Sequence, residues 1–258
     1  VIYCLTRKKT EQVAADLIDE GFSAAAYHAG LPKEKRTKIQ DDFLKDRVQI
    51  VVATIAFGMG IDKPNIRLVV HYDLPKSLEG YYQETGRAGR DGILSHCVLF
   101  FDKSSPGMHW RFIMRMQDPK AKKMASKKFD QMLQFCQTDR CRRKSVLEYF
   151  AEKYSETNCA SCDHCVEEYK LSVTPTLARQ ELSYNQEVFE KLKQLRLRLA
   201  DIESVPAFVI FGDQSLREMA TYLPRSEDEF GKITGVGKFK LEKYGKVFTK
   251  LISQLCEK

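Results

Sequence analysis

No run of apolar residues in this 258-residue chain approaches the roughly 18 to 20 positions of a membrane-spanning helix. The N-terminus has no charged segment leading into an apolar one, so nothing marks the chain for secretion. A soluble, intracellular-type protein is expected, with no membrane partner. Also missing are a Gly-x-x-x-x-Gly-Lys-[Ser/Thr] loop, the backbone cradle for nucleotide phosphates, and the acidic magnesium motif that accompanies it. Gly231-Lys-Ile-Thr-Gly-Val-Gly-Lys238 imitates such a loop, but its spacing is wrong and Phe239 replaces the hydroxyl that would hold the metal. It reads as a turn between helices. The chain by itself is therefore not expected to hydrolyse a nucleoside triphosphate at a useful rate. It starts at Val1 rather than Met, which suggests a piece of a longer protein.

What is present fills two or three modules, and 43% hydrophobic residues furnish real cores. The net charge of +7 is uneven: residues 103–169 carry 13 basic and 9 acidic side chains, against 14 of each in residues 1–102. The middle is thus the most basic part of the chain, and a polyanion partner is plausible, although +7 alone fits many proteins that bind none. In the first hundred residues short apolar runs alternate with helical patterns. Val1–Leu5, Ala24–Tyr27, Gln49–Ala53, Leu68–His71 and Cys97–Phe101 are strand-length and continuously apolar, as expected where both sheet faces are covered. Thr10 can cap a helix whose inner face is Val13, Ala14 and Leu17 and which ends at Gly21. Pro32 suits the first turn of another, ahead of Ile39 and Phe43. The pattern predicts an α/β fold with a parallel, three-layer sheet.

In open α/β sheets ligands collect beyond the carboxyl ends of the strands. Thr6 and Arg7 follow the first strand, His28 and Gly30 the second and Thr54 the third, so all are expected on one rim. A hydroxyl, a guanidinium, an imidazole and helix-start N–H groups there suit sugar-phosphate oxygens. Singly, each has a plainer role as a cap or turn residue. After the third strand, Gly58 and Gly60 permit close approach of backbone to ligand, and Asp62 adds an acceptor suited to a ribose hydroxyl. In Gln83 to Arg90 two guanidinium forks, Arg87 and Arg90, stand three residues apart behind Gly86 and Gly89, with Glu84 and Asp91 the only nearby carboxylates in sequence. Such a pair calls for an anion, and a triphosphate whose charge shifts during hydrolysis is the natural one.

Cys159, Cys162 and Cys165 place three thiolates within seven residues, and four soft sulfurs satisfy tetrahedral zinc. Cys141, Cys136 and His164 compete for the fourth position. Cys136 continues the apolar face of Phe129, Met132 and Leu133, which suits core better than metal. Four protein ligands would close the site, making the zinc structural, and Arg140, Arg142, Arg143 and Lys144 would offset the charge of the thiolates. Eight cysteines without a secretion signal give little support to disulfides. Cys4, Cys97 and Cys256 lie in apolar patterns. The last seventy residues read as a small all-α bundle: Val188, Leu192, Leu195 and Leu199 recur at helical spacing, Ser226 to Glu229 is a capping-box pattern, and Phe248, Leu251, Ile252 and Leu255 form a final apolar face. Lys238, Lys240, Lys243 and Lys246 offer either a phosphate-facing surface or a solvated face.

Through Tyr27-His-Ala-Gly30, the segment from Val52 to Pro64 and the segment from Tyr81 to Gly92, the chain resembles the RecQ family of ATP-dependent DNA helicases. The likeness runs over nearly its whole length. It continues in the cysteine segment, where Cys-Arg-Arg before a helix favours Cys141 as the fourth ligand. It resumes in Val205 to Asp213 and Thr234 to Glu242, which are similar to an HRDC domain. The resemblance implies a second RecA-like lobe at 1–102, a helical zinc-binding segment at 103–169, a linker at 170–186 and an HRDC-like bundle at 187–258. It further implies Arg90 as arginine finger, Arg87 as a phosphate contact across a lobe interface and Gln83 as the coupler of nucleotide state to DNA. Gly58 and Asp62 would lie beside the nucleotide, with Thr6, Arg7, His28, Gly30 and Thr54 on the DNA backbone. ATP and magnesium would be bound mainly by a first RecA-like lobe, and single-stranded, forked or partly duplex DNA and that lobe would be the partners. Location would be the cytoplasm and nucleoid in a bacterium, the nucleus in a eukaryote.

The sequence departs from that family in one place. RecQ proteins commonly carry a winged helix between zinc segment and bundle, and the stretch from Val166 to Gln186 is too short for one. Two functions follow: the C-terminal portion of a 3′-to-5′ helicase of recombination and repair, or a non-enzymatic DNA-binding adaptor that keeps the lobe as scaffold.

Overall fold

Five apolar segments form one parallel sheet: β1 (Ile2–Tyr3), β2 (Ala24–Tyr27), β3 (Ile50–Ala53), β4 (Leu68–His71) and β5 (His96–Leu99), in the spatial order β2-β3-β1-β4-β5. The structure is a computed structural model that describes residues 1–58, 61–102, 106–166 and 184–256. β3 lies between β2 and β1, with Tyr27 opposite Ala53 on one side and Tyr3 opposite Ala53 on the other. Val51, Val52 and Ala53 are completely buried, as a strand covered on both faces requires. Of the expected linker at 170–186, the part up to 183 lies outside the described residues.

The first helix, α1 (Arg7–Asp19), begins earlier than the sequence suggested, because Thr6 and not Thr10 is its cap. Thr6 Oγ1 accepts from the Lys9 N–H at 3.2 Å, a bond that contributes about 1 kcal/mol to a helix start. Thr10 is fully buried one turn in, and its hydroxyl donates back to the Thr6 carbonyl at 2.9 Å. Pro32 directly precedes α2 (Lys33–Leu44), whose Ile39 and Phe43 are buried as expected.

The chain forms two compact units that interleave along the sequence, whereas the boundaries drawn from the sequence run in series. One comprises Val1–Val69, Arg87–Cys97 and Glu181–Lys258; the other comprises Val70–Gly86 and Val98–Gln180. In the first, Phe57 anchors the lobe's core, edge-on to Tyr27 at 4.7 Å and Phe43 at 5.7 Å. Complete burial of such a ring contributes about 1.5–3 kcal/mol. The same unit holds the terminal bundle: α7 (Gln186–Glu203), α8 (Ala207–Ile210), α9 (Asp213–Tyr222), α10 (Glu227–Phe230) and α11 (Lys238–Cys256). Leu192, Phe211, Leu216, Phe230, Phe248 and Ile252 fill its core. Ser226 Oγ caps α10 by accepting from the Glu229 N–H at 3.2 Å, and Glu229 accepts from the Arg225 N–H at 2.8 Å. The glycine segment that imitates a phosphate loop is the connection between α10 and α11, with Gly235 at φ +83°.

In the second unit α3 (Leu78–Thr85), α4 (Pro106–Met114), α5 (Pro119–Gln137) and α6 (Arg142–Tyr149) enclose Leu74, Leu78, Ile113, Phe129, Met132, Phe135 and Val146. Buried His109 donates from Nε2 to the Leu74 carbonyl at 2.7 Å, tying α4 to the strand-following segment. Among the described residues no helix is long and apolar enough to cross a membrane.

Candidate functional site

Because β2, β3 and β1 are adjacent and parallel, the residues leaving their carboxyl ends share one edge of the sheet. Thr54 follows β3, its N–H donating to the Tyr27 carbonyl at 3.2 Å and its carbonyl accepting from Phe57 at 3.0 Å. His28 follows β2 and is buried. Its Nδ1 accepts from the Gly30 N–H at 3.2 Å, so Nε2 carries the proton and donates to Glu11 at 3.0 Å. His28 thus shapes the turn, while exposed Arg7 and Gly30 form the accessible part of the rim. A Cβ on Gly30 would sit 2.8 Å from Arg7 Nη1, which can swing away, and 3.1 Å from Nδ1 of buried His28, which has less room to give. Thr6 spends its oxygen on capping α1.

The two arginines sit in unlike surroundings. Arg87 is 7% exposed and packs on Gly58, where a Cβ would meet its Nη2 at 2.7 Å; its Nε has no hydrogen-bond partner among the described residues. Arg90 is exposed and donates from Nη1 to Asp62 Oδ1 at 2.6 Å. Asp62, expected beside a ribose, is therefore engaged by the finger candidate. Gly89, at φ +61°, makes the turn between them, and Asp91 is held by Arg67. Gly60 lies outside the described residues. Gln83 is exposed on α3, and its neighbour Glu84 is buried, accepting from His71 Nε2 at 2.7 Å. Gly58→Ala is expected to displace the Arg87 guanidinium without unfolding the lobe, since the clash falls on the end of a flexible side chain. A melting curve for this variant close to that of the wild type would check that the side chain alone yields.

The four cysteines Cys141, Cys159, Cys162 and Cys165 come together with their Sγ atoms all within 4.8 Å of one another. Zinc–sulfur bonds of about 2.3 Å in a tetrahedron ask for sulfurs roughly 3.8 Å apart, so the set fits that ion after small adjustment. Cys141 is the residue preceding α6, and the chain bends there so that the Arg142 N–H donates to Cys162 Sγ at 3.4 Å; the Cys159 N–H donates to Cys165 Sγ at 3.4 Å. Such bonds stabilise thiolates. Burial opposes ionisation of Cys159, yet the Ser161 hydroxyl and backbone outweigh it and bring its pKa down to about 6. At Cys165 the Cys159 N–H favours the thiolate, but burial and the neighbouring sulfurs prevail and push the pKa up to about 12. Four thiol sulfurs gathered at this spacing are the donor set of a structural zinc site. Arg142 forks onto Asp163 at 2.9 Å and 3.0 Å, bracing the ligand loop. Cys136 is half-buried beside the apolar core, where burial raises its pKa to about 11, and His164 lies outside the sulfur cluster.

Of the four lysines expected on the bundle, Lys243 pairs with Glu203 at 2.7 Å and Lys240 is half-buried over the Phe211 ring. Lys238 and Lys246 remain exposed. Lys243 is exposed as well, so of the four only Lys240 is drawn back from the surface.

Three protein families match the chain in series: helicase conserved C-terminal domain over residues 1–92, RecQ zinc-binding over 108–166 and HRDC domain over 185–252. The chain is similar to the ATP-dependent DNA helicase RecQ of Haemophilus influenzae, 30% identical over 366 residues, covering 98% of this chain and 59% of the relative. That alignment is longer than this chain, so the relative carries residues with no counterpart here. To the ATP-dependent DNA helicase hus2/rqh1 of Schizosaccharomyces pombe it is 49% identical over 173 residues, 65% of this chain and 13% of the relative. Among solved structures, a DEAD box protein from Methanococcus jannaschii shares 31% identity over 44% of this chain and 31% of that one, with a TM-score of 0.38. The chain thus spans less than two thirds of the length of these relatives.

Proposed function

The chain belongs to the RecQ helicase family, as a C-terminal portion of such a protein, and on that premise we propose that it is the responding half of an ATP-dependent 3′-to-5′ DNA helicase of recombination and repair. The observation that carries this reading is the contrast between Arg87, buried against Gly58, and Arg90, exposed beside Asp62. A packed guanidinium is fixed in place and suits a steady phosphate contact. An exposed one suits a finger that changes partner, because an exposed ion pair holds it by no more than about 1 kcal/mol.

ATP with magnesium, held mainly by a first RecA-like lobe, would supply the energy that drives the two lobes together. In this chain Arg90 would leave Asp62 for the γ-phosphate, Arg87 would hold the phosphates across the interface, and Gly58 would leave room for both. Gln83 would pass the nucleotide state to the DNA. Arg7 and the N–H groups near Gly30 and Thr54 would grip the single strand's phosphates, with His28 and Thr6 keeping the rim in shape. Zinc on the four cysteines would keep the helical segment folded. The expected substrates are forked or partly duplex DNA with a single-stranded arm.

The test joins this chain to a RecQ-type first lobe, on one polypeptide or mixed, and measures ATPase with and without single-stranded DNA. ATP hydrolysis that needs both parts and rises with DNA is expected. A folded, DNA-binding mixture with no DNA-dependent hydrolysis would remove the motor reading and leave the adaptor.

A further inference from the structure

Within the first compact unit, the lobe and the terminal bundle meet through charge. Arg196 of α7 is completely buried; its Nη1 donates to the Phe211 carbonyl at 2.9 Å and to Asp213 Oδ1 at 2.7 Å, both in the bundle. Its Nη2 faces Asp46 of the lobe, with the carboxylate oxygen at 4.0 Å. Asp46 is also bound by Lys63, itself 5% exposed and lying over the Phe43 ring. Asp213 turns its second oxygen toward Arg67 of the lobe at 3.9 Å. Burial would raise the pKa of Asp213, but Arg196 and Arg67 outweigh it and hold the carboxyl below its usual range. At the rim, Arg47 of the lobe donates to Asp201 of the bundle at 2.6 Å.

Apolar packing does not cross this boundary among the described residues: the bundle's cluster draws on residues from 184 to 256, and the lobe's two clusters draw on residues from 1 to 88. Several buried polar atoms there have no hydrogen-bond partner among the described residues, among them Arg196 Nε and Nη2, Arg67 Nε and Asn65 Oδ1. A contact made of desolvated charges with incomplete hydrogen bonding contributes little net stability, and domains joined without a shared apolar core move relative to each other by default. We infer that the bundle is a reversible ionic dock on the lobe, with the Arg196 and Asp213 side of α7 and α9 closing on Asp46, Lys63 and Arg67.

The dock also reaches the arginine loop. Arg67 holds Asp91 and donates to the Ile93 carbonyl at 3.2 Å and to Ser95 Oγ at 3.1 Å, so the residue that receives Asp213 fixes the stem after Arg90. Docking therefore brings a second carboxylate, Asp213, to the guanidinium that already anchors that stem through Asp91. This holds whether or not Arg90 acts on a nucleotide.

Hydrogen exchange of the full chain tests it, read at residues 42–47 and 65–67 of the lobe and in α11. Asp46→Asn tolerates the left-handed backbone that this position adopts, at φ +59°, and removes only the charge. In that variant, and in wild type at about 1 M salt, where screening is nearly complete, exchange at 42–47 and 65–67 should rise about tenfold while α11 stays protected. Equal protection in wild type at both salt concentrations and in the variant would overturn the dock. Should loss of Lys63's partner disturb the lobe, the exposed rim gives a second route. Arg47→Asp should raise exchange and Arg47→Asp with Asp201→Arg should restore it; failure of the double swap to restore protection would refute an ionic origin. Because no ATPase is measured, failure here is distinct from failure of the motor reading.

Discussion

Removing the metal from Cys141, Cys159, Cys162 and Cys165 is expected to unfold residues 139–166 while the apolar core of α4 and α5 survives. Apart from its cysteines, the segment's apolar holds on that core are buried Val146 and partly buried Tyr149, with Arg142 Nη1 donating to the Phe135 carbonyl. The Arg142–Asp163 fork is partly exposed and, as such, contributes on the order of 1 kcal/mol or less. Structural zinc on four ligands contributes on the order of 10–16 kcal/mol in small domains, comparable with the whole stability of a typical one at about 5–15 kcal/mol. Cys162→Ser should therefore abolish stoichiometric zinc and also remove the sulfur that receives the Arg142 N–H. Elemental analysis and hydrogen exchange read both effects. Zinc at wild-type stoichiometry in this variant, with protection kept at 139–166, would exclude Cys162 as a ligand. By contrast Phe129, Met132, Phe135 and Ile113 pack with Leu74 and Leu78, so exchange in α5 should change little.

What could be read from the sequence follows from how far apart the interacting residues are. β3 announced itself as an apolar run because both its faces are covered, whereas β5 is an equally apolar run with no buried residue and with Cys97 exposed; the three cysteines of Cys159 to Cys165 stand out because a short loop must carry several ligands. Spacing alone leaves the fourth ligand open to Cys136 and His164; the family resemblance favours Cys141, and Cys141 Sγ is the atom that joins the cluster. Thr6 and Thr10 are equally plausible caps by composition, and only the backbone decides that one caps and the other back-bonds. Charge pairs were the least legible part. Arg90 and Asp62 are 28 residues apart and Arg47 and Asp201 are 154 apart, and such pairings leave no periodic trace. Arg196 did leave one: it follows Val188 and Leu192 at steps of four and precedes Ala200, all buried on one face of α7. An arginine in phase with an apolar stripe marks a buried charge awaiting a partner.

Arg90→Ala is expected to lower kcat for ATP hydrolysis by on the order of 10³ to 10⁵ in the helicase assembled with a first lobe, the usual scale for an arginine finger. The effect should fall on kcat with little change in KM, because a finger that leaves Asp62 only as charge develops contributes to the transition state and not to ground-state binding. Arg90→Lys should recover little, since a point charge on a flexible stem does not reproduce the planar fork. Asp62→Asn tests the other side of the pair. An exposed carboxylate 2.6 Å from Arg90 restrains it only weakly, so turnover should change by less than about tenfold. Arg87→Ala should behave differently, because the buried guanidinium fills the space beside Gly58. Its loss should raise KM and lower the lobe's melting temperature together, whereas Arg90→Ala should leave melting unchanged. If Arg90→Ala retained hydrolysis within a few-fold of wild type while Arg87→Ala lost it at constant KM, the roles would be exchanged. The buried arginine would then be the finger, and Arg90 an exposed partner of Asp62.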